Sequence, residues 1–135
     1  MYPIQRNRRL RSNASLRALV QEHHLNPNDF IVPLFVIEGK QNKEVIPSMP
    51  DYYRMTTDLL EEHVKNLWSL GLKSVLLFVK VADSLKDNKG TEALNPKGLM
   101  QRAIDTVKNA VPEMVVMTDV ALDPYSSFGH DGIVF

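Results

Sequence analysis

The chain has 135 residues, 44% of them hydrophobic and 24% charged, which is enough for one globular domain and too short for two. Sixteen basic and sixteen acidic residues cancel to a net charge of zero, which argues against binding a polyanion with the whole surface. Because cysteine is absent and no apolar run reaches membrane-spanning length, we exclude disulfide frameworks, thiolate zinc sites and transmembrane helices, and expect a cytoplasmic protein.

A basic segment opens the chain. Such a segment can bind nucleic acid, act as a transit peptide or pack against an acidic protein surface. We favour packing against protein because the segment leads into an amphipathic helix, capped by Ser12 or Asn13 and ending near residues 23–24. Five arginines precede its first acidic residue, Glu22: Arg6, Arg8, Arg9, Arg11 and Arg17.

Three buried strands are predicted, at 30–37, 74–81 and 114–122. Each is a nearly continuous run of apolar and β-branched residues, which is typical of strands covered on both faces. The order of elements, with a helix between each pair of strands, predicts parallel strands joined by right-handed crossovers.

Two amphipathic helices separate these strands. Thr57 can cap the first helix, which ends at Gly71. Asn95 and Pro96 open the second helix as its cap and first-turn proline, and Pro112 ends it.

Long loops follow the strands, whereas the returns from helix to strand are short. Residues 38–56 and 82–94 connect strand to helix, and residues 71–73 and 112–113 lead back. The long loops therefore lie at the carboxyl ends of the strands, where α/β proteins place their sites. Three strands are fewer than a flavodoxin-like domain or a (β/α)8 barrel requires, so we expect part of a larger unit.

The densest polar cluster lies at 118–132, around the end of the third predicted strand. Asp119 interrupts an apolar run there, and a carboxylate is costly to bury unless it is paired or used. With Asp123, His130 and Asp131 it makes an oxygen-rich site for Mg²⁺ or a similar hard cation. The competing interpretation is that these Asp, Pro, Ser and Gly residues only form turns.

Other candidates carry weaker signals. Lys80, at the end of the second predicted strand, can form an imine if it is desolvated, although strand-end lysines usually extend into solvent. Residues 86–90 lack the spacing of a phosphate-binding loop and are predicted to be a solvated, mobile loop. The histidines on predicted helices lack metal-ligand spacing with a third partner: His23, His24 and His63.

Five segments of the chain together carry a family resemblance. They are RRLRSNASLRALVQE, DFIVPLFVIEG, IPSMP, KGTEALNPKGLMQRAI and MTDVALDPYSSFGHDG. In this order they resemble the porphobilinogen synthase family, also called 5-aminolevulinate dehydratase. The resemblance covers nearly the whole chain and corresponds to the N-terminal part of the family's usual sequence.

That resemblance implies a fold and a reaction. The family folds as a (β/α)8 TIM barrel with an N-terminal arm that wraps a neighbouring subunit, usually in a homo-octamer. We therefore expect an α/β fold with an arm at 1–29 and the first three βα units of a barrel at 30–135. The family condenses two 5-aminolevulinate molecules into porphobilinogen, on the way to haem and other tetrapyrroles. Its lysines form Schiff bases with the substrate ketones, because an imine is a better electron sink than a ketone.

Matching positions imply roles for individual residues. Asp119 corresponds to the aspartate beside the substrate amine, and Phe78 and Ser127 to the substrate pocket. Asp123 and Asp131 place the chain among the aspartate-type members, which are often magnesium-responsive. Zinc-dependent members carry cysteines in this loop, so no active-site zinc is expected here. Subunit contacts fall on the basic arm: Arg6, Arg8, Arg9 and Arg11.

The imine-forming lysines of the family lie beyond the matching part, so the 135-residue chain alone is expected to be inactive. One alternative is a stand-alone α/β binding or regulatory module with an acidic cation site, which has the right size but leaves the arm unexplained. Another Schiff-base barrel, such as an aldolase, does not account for the aspartate-rich loop.

Overall fold

The structure of the protein, a computed structural model, describes residues 3–129. None of the described helices is long and apolar enough to cross a membrane. The α-helices of this part are α1 Ala14–Leu19, α2 Thr57–Ser69 and α3 Leu99–Ala110. Its strands are β1 Ile31–Ile37, β2 Lys43–Val45, β3 Tyr53–Met55, β4 Ser74–Lys80 and β5 Val115–Thr118.

The described strands form one sheet in the order β2-β3-β1-β4-β5. β1, β4 and β5 are parallel neighbours, and α2 and α3 make the crossovers between them. Parallel strands need such long connections, because a tight turn can only reverse the chain. The predicted parallel β-α-β-α-β order is therefore confirmed.

A short antiparallel hairpin, formed by β2 and β3, occupies the loop between β1 and α2. The three predicted strands are present, and the two hairpin strands, which were not predicted, bring the described residues to five strands. Each hairpin strand has three residues, which is too short for hydrophobic alternation to reveal. β3 pairs with β1 only through Phe35 and Val36, so Pro33, which has no amide hydrogen, lies where β3 does not reach.

The two faces of the sheet differ in burial. In the central strand β4, the buried side chains are Val75, Leu77 and Val79, which join the core that α2 and α3 complete. The intervening residues Leu76 and Phe78 point to the opposite face and are half-buried. The helices contribute fully buried side chains to the core: Leu60, Val64, Ala103 and Val107.

Helix α3 begins later than predicted. Its cap position is Gly98, not Asn95, so Pro96 precedes the helix and is not its first residue. The side chain of Asn95 instead accepts a hydrogen bond from the amide of Lys97 at 3.0 Å. Asparagine favours such local turns as strongly as helix caps, which is why the sequence signal pointed three residues too early.

Two other boundaries also differ from the prediction. β5 ends at Thr118, short of the predicted Leu122, because the carbonyl of Leu122 accepts the amide of Tyr125 at 2.9 Å in a turn. The cap position of α2 is Thr56, one residue before the predicted Thr57.

The N-terminal segment is exposed. Of residues 3–29, only Leu16 is even partly buried. Asn13 caps α1 by accepting the amide of Leu16 at 2.9 Å, as predicted. The helix ends at Leu19 rather than near 23–24, because Leu19 is 80% exposed and a short helix without packing is marginal.

Candidate active site

The carboxyl ends of β1, β4 and β5 meet at one edge of the sheet. Thr118, the last residue of β5, pairs in register with Leu77, and Asp119 and Phe78 are the residues that follow them in the chain. Because side chains alternate along a strand, Phe78 belongs to the face of β4 opposite α2 and α3, whereas Asp119 lies just beyond the end of β5. Asp119 is exposed and Phe78 is half-buried. Both predicted site residues therefore lie at the carboxyl ends of neighbouring strands, the edge where barrel enzymes place catalytic groups.

Phe78 belongs to an aromatic cluster on this face. Its ring stacks on that of Phe35 in β1, with 5.2 Å between centroids and 17° between planes. Tyr52 meets Phe35 edge-on at 6.0 Å and donates its hydroxyl to the carbonyl of Pro33 at 3.2 Å. Such ring pairs contribute about 0.5–1.5 kcal/mol beyond their burial, so the cluster holds Phe78 in one orientation.

Two buried residues, Tyr125 and Ser126, anchor the segment that follows Asp119. Burial, with the nearby negative charge of Glu92, raises the pKa of Tyr125, which keeps it a neutral phenol. The other predicted site residues of this segment, Asp123 and Ser127, are exposed. The two buried residues between them anchor the backbone that carries both.

The segment 86–90 forms a turn held by Asp87, with Asn88 and Lys89 exposed as predicted for a solvated loop. The Asp87 carboxylate accepts the amides of Lys89 at 2.8 Å and Thr91 at 3.0 Å. The hydroxyl of Thr91, followed by these amides, holds the pKa of Asp87 below its ordinary value. The backbone of Asp87 also pairs with Ser126 as a parallel bridge, which joins this turn to the segment after β5.

Lys80, at the end of β4, is paired with a carboxylate. Its Nζ lies 2.9 and 3.2 Å from the two carboxylate oxygens of Glu44 in β2. The nearer oxygen, Oε1, also accepts a hydrogen bond from Arg54 in β3 at 3.1 Å. The hydrogen bond from Lys80 is the main cause that lowers the pKa of Glu44. Because the folded-state pKa is depressed, the pair stabilises the fold above the ordinary glutamate pKa, and its contribution is lost as pH falls through the folded-state value.

Within residues 3–129, no three His, Cys, Asp or Glu side chains are grouped closely enough to hold a metal ion. Asp123 is part of that range, whereas Asp131 and His130, which complete the predicted cation site, lie outside the described residues. The described residues therefore supply one of the two predicted metal ligands and do not form a complete site.

The predicted subunit-contact arginines all lie on the exposed N-terminal segment. Arg6 and Arg8 precede a single 3₁₀ turn at Arg9–Arg11, and none of them is buried. The guanidinium of Arg17 donates to the carbonyl of Arg11 at 3.1 Å, which links α1 to that turn. The segment therefore presents a basic surface that the rest of the described chain leaves exposed.

Sequence analysis missed two polar groups at the carboxyl edge, Glu44 and Asp87. Asp87 starts an Asp-Asn-Lys-Gly stretch, which is the sequence signal for the turn that its carboxylate closes. Glu44 carried no comparable signal, because its partner Lys80 lies 36 residues away in sequence.

Comparison with known proteins gives a single family. The sequence model of the family described as delta-aminolevulinic acid dehydratase matches residues 4–135. The chain is 44% identical over 128 residues to the delta-aminolevulinic acid dehydratase of Chlamydia pneumoniae, covering 95% of this chain and 39% of that protein. It is 50% identical over 131 residues to the chloroplastic delta-aminolevulinic acid dehydratase of Physcomitrium patens, covering 96% of this chain and 30% of that protein.

A solved structure shows the same likeness. It is delta-aminolevulinic acid dehydratase (porphobilinogen synthase) from Toxoplasma gondii ME49 in complex with the reaction product porphobilinogen, with a TM-score of 0.89 and 46% identity. The match covers 100% of this chain and 38% of that one, so the chain spans less than half the length of the relatives it matches. The predicted fold class, an arm and the first three βα units of a TIM barrel, is confirmed. The chain belongs to the delta-aminolevulinic acid dehydratase family.

Proposed function

We propose that the protein to which these residues belong condenses two molecules of 5-aminolevulinate into porphobilinogen. One observation carries the proposal: over its whole length the chain is 46% identical to a solved porphobilinogen synthase that holds porphobilinogen. Porphobilinogen is the pyrrole from which haem and other tetrapyrroles are built. The cytoplasmic location expected from the sequence stays a prediction.

Asp119 is the residue of this chain that we propose acts on the substrate. An exposed carboxylate at the strand edge can hold the ammonium group of 5-aminolevulinate by charge-assisted hydrogen bonds. It can then accept a proton from that group, which frees the lone pair of the amine for attack. Phe78, fixed by its stack on Phe35, is proposed as an apolar wall of the pocket, and Ser127 as a hydroxyl that hydrogen-bonds substrate.

Imine formation is assigned to lysines outside these 135 residues. Lys80 lies at the correct edge of the sheet, but its Nζ is held by Glu44 at 2.9 Å. A paired ammonium group has no free lone pair and is a poor nucleophile. The covalent step is therefore expected to need the remainder of the protein.

Mg²⁺ is proposed as a cofactor, held by Asp123 and Asp131. Mg²⁺ prefers oxygen ligands and is usually bound through one or two carboxylates together with water. Asp123 fits that requirement as an exposed carboxylate on an anchored segment. When bound, the ion supplies positive charge that stabilises anionic oxygen. Zinc is not proposed, because the chain has no cysteine to hold it here.

Porphobilinogen formation from 5-aminolevulinate tests the proposed reaction. We expect the natural protein that contains this sequence to form porphobilinogen, and to do so faster in Mg²⁺ than in EDTA. The 135-residue chain alone is expected to form none, because the imine-forming lysines are missing. An inactive natural protein would contradict the proposal and favour an α/β binding module with an acidic cation site. Turnover by the short chain would move the covalent step to Lys80.

The exposed N-terminal segment is proposed to contact a neighbouring subunit in a homo-oligomer. Its residues 3–29 are almost entirely exposed, although they include apolar side chains such as Leu19 and Leu25 that are 80% and 85% exposed. Apolar side chains beside a basic run gain stability when a partner surface covers them. We infer that Arg6, Arg8, Arg9 and Arg11 form ion pairs with that surface.

Deleting residues 1–21 is expected to reduce the assembly of the natural protein to smaller species. The deletion removes intersubunit contacts and few contacts within the subunit, because the segment is exposed. Light scattering coupled to gel filtration measures the mass, and circular dichroism checks that the subunit stays folded. An unchanged mass with a folded subunit would rule out the arm as the assembly contact.

A further inference from the structure

Two loops at the carboxyl edge hold each other through their backbones. The amide of Asp87 donates to the carbonyl of Tyr125 at 3.2 Å, and the amide of Ser127 donates to the carbonyl of Asp87 at 3.2 Å. Together these two bonds form the parallel bridge between Asp87 and Ser126. One residue of the loop after β4 therefore sets the register of three consecutive residues after β5.

The side chain of Asp87 fixes the turn that makes this pairing available. Its Oδ1 accepts the amides of Lys89 and Thr91, which closes the turn over residues 87–91. Gly90 within the turn has φ of 63°, a left-handed conformation that glycine adopts without strain. An added Cβ at Gly90 would lie 3.3 Å from Cδ2 of Leu122, so the turn packs closely against the segment after β5.

We infer that Asp87 is a positioning residue for the segment that carries Asp119, Asp123 and Ser127. All three residues are exposed, so burial of their side chains contributes little to their placement. The backbone bonds of Asp87 to Tyr125 and Ser127 fix Ser127 directly, and through the buried Tyr125 and Ser126 they restrain the chain that runs back to Asp123 and Asp119. The inference rests on the proposed function, in which Asp119 binds the substrate amine.

Three substitutions in the natural protein test this role. Asp87→Ala removes the acceptor, Asp87→Asn keeps an oxygen at the same position, and Asp83→Ala is the matched control. The side chain of Asp83 is 92% exposed and pairs with Lys86 at 2.7 Å, within its own loop. Hydrogen exchange reports on the segment directly and does not depend on activity.

We expect Asp87→Ala to speed amide hydrogen exchange over residues 122–127 at least about tenfold, because the backbone pairing is loosened. We also expect it to lower kcat by about tenfold to 100-fold, since a small misplacement of a reacting group can slow a reaction that much. Asp87→Asn is expected to stay near wild type in both measurements, and Asp83→Ala likewise. The loss of kcat should occur without a matching fall in the thermal unfolding midpoint, which a purely structural defect would lower.

Each remaining outcome decides the question. Wild-type exchange and kcat in Asp87→Ala would overturn the inference, as would an Asp87→Asn variant as impaired as Asp87→Ala. If Asp87→Ala does not accumulate as folded protein, Asp87→Glu replaces it, and equal behaviour of the Glu and Asn variants would overturn the inference. A wild-type protein that forms no porphobilinogen would contradict the proposed function. Unaltered amide hydrogen exchange over residues 122–127 in Asp87→Ala would separately contradict the coupling of the two loops.

Discussion

Replacing Asp119 by alanine is expected to lower porphobilinogen formation by the natural protein about 10²-fold to 10⁴-fold, the range that loss of a positioned acid or base produces. Asp119 follows the last residue of β5, at the carboxyl edge of the sheet. It is exposed, so its removal leaves no buried group unpaired and has little effect on folding. The effect should appear in kcat/KM, measured as initial rates of porphobilinogen formation from 5-aminolevulinate.

Glu113 offers a matched control at the other end of the same strand. It is an exposed carboxylate shortly before β5, whereas Asp119 comes directly after β5. Glu113→Ala is expected to retain the wild-type rate, and Asp119→Asn to lose activity because an amide carries no negative charge for the ammonium group. Wild-type kcat/KM in Asp119→Ala would show that the substrate amine is bound elsewhere.

Replacing Leu77 by alanine is expected to lower the free energy of unfolding by about 2–5 kcal/mol, the usual cost of a large-to-small change in a core. Leu77 is 0% exposed in β4, the strand between β1 and β5, and belongs to the core completed by α2 and α3. The cost combines lost transfer free energy with the cavity left behind, which the paired backbone of a central strand cannot close. Urea unfolding followed by the fluorescence of Trp68 measures it.

Leu94→Ala is the matched control, because it makes the same leucine-to-alanine substitution at an exposed position. Leu94 is 84% exposed, so its truncation is expected to change stability by less than about 0.5 kcal/mol. Equal effects of the two substitutions would mean that β4 is not buried as the structure has it.

The local elements of the fold could be predicted from the residues alone. Continuous apolar runs located β1, β4 and β5, and helical periodicity located α2 and α3, because each signal lies within one short window of sequence. The position of Asp119 in a predicted apolar run was enough to single it out, although the structure shows that its carboxylate is exposed and not buried. Motif resemblance then supplied the family, which the comparisons confirm.

Long-range contacts, by contrast, carry no local signature. The pairing of β3 with β1, the pairing of Glu44 with Lys80 and the bridge from Asp87 to Ser126 each join segments that are far apart in sequence. Such contacts form because the folded sheet brings their backbones within hydrogen-bond distance, and three-residue strands gain their stability only from that neighbourhood. The residue pattern therefore located Asp119 at its strand end, whereas only the tertiary structure stacked Phe78 on Phe35 and joined the Asp87 turn to the segment after β5.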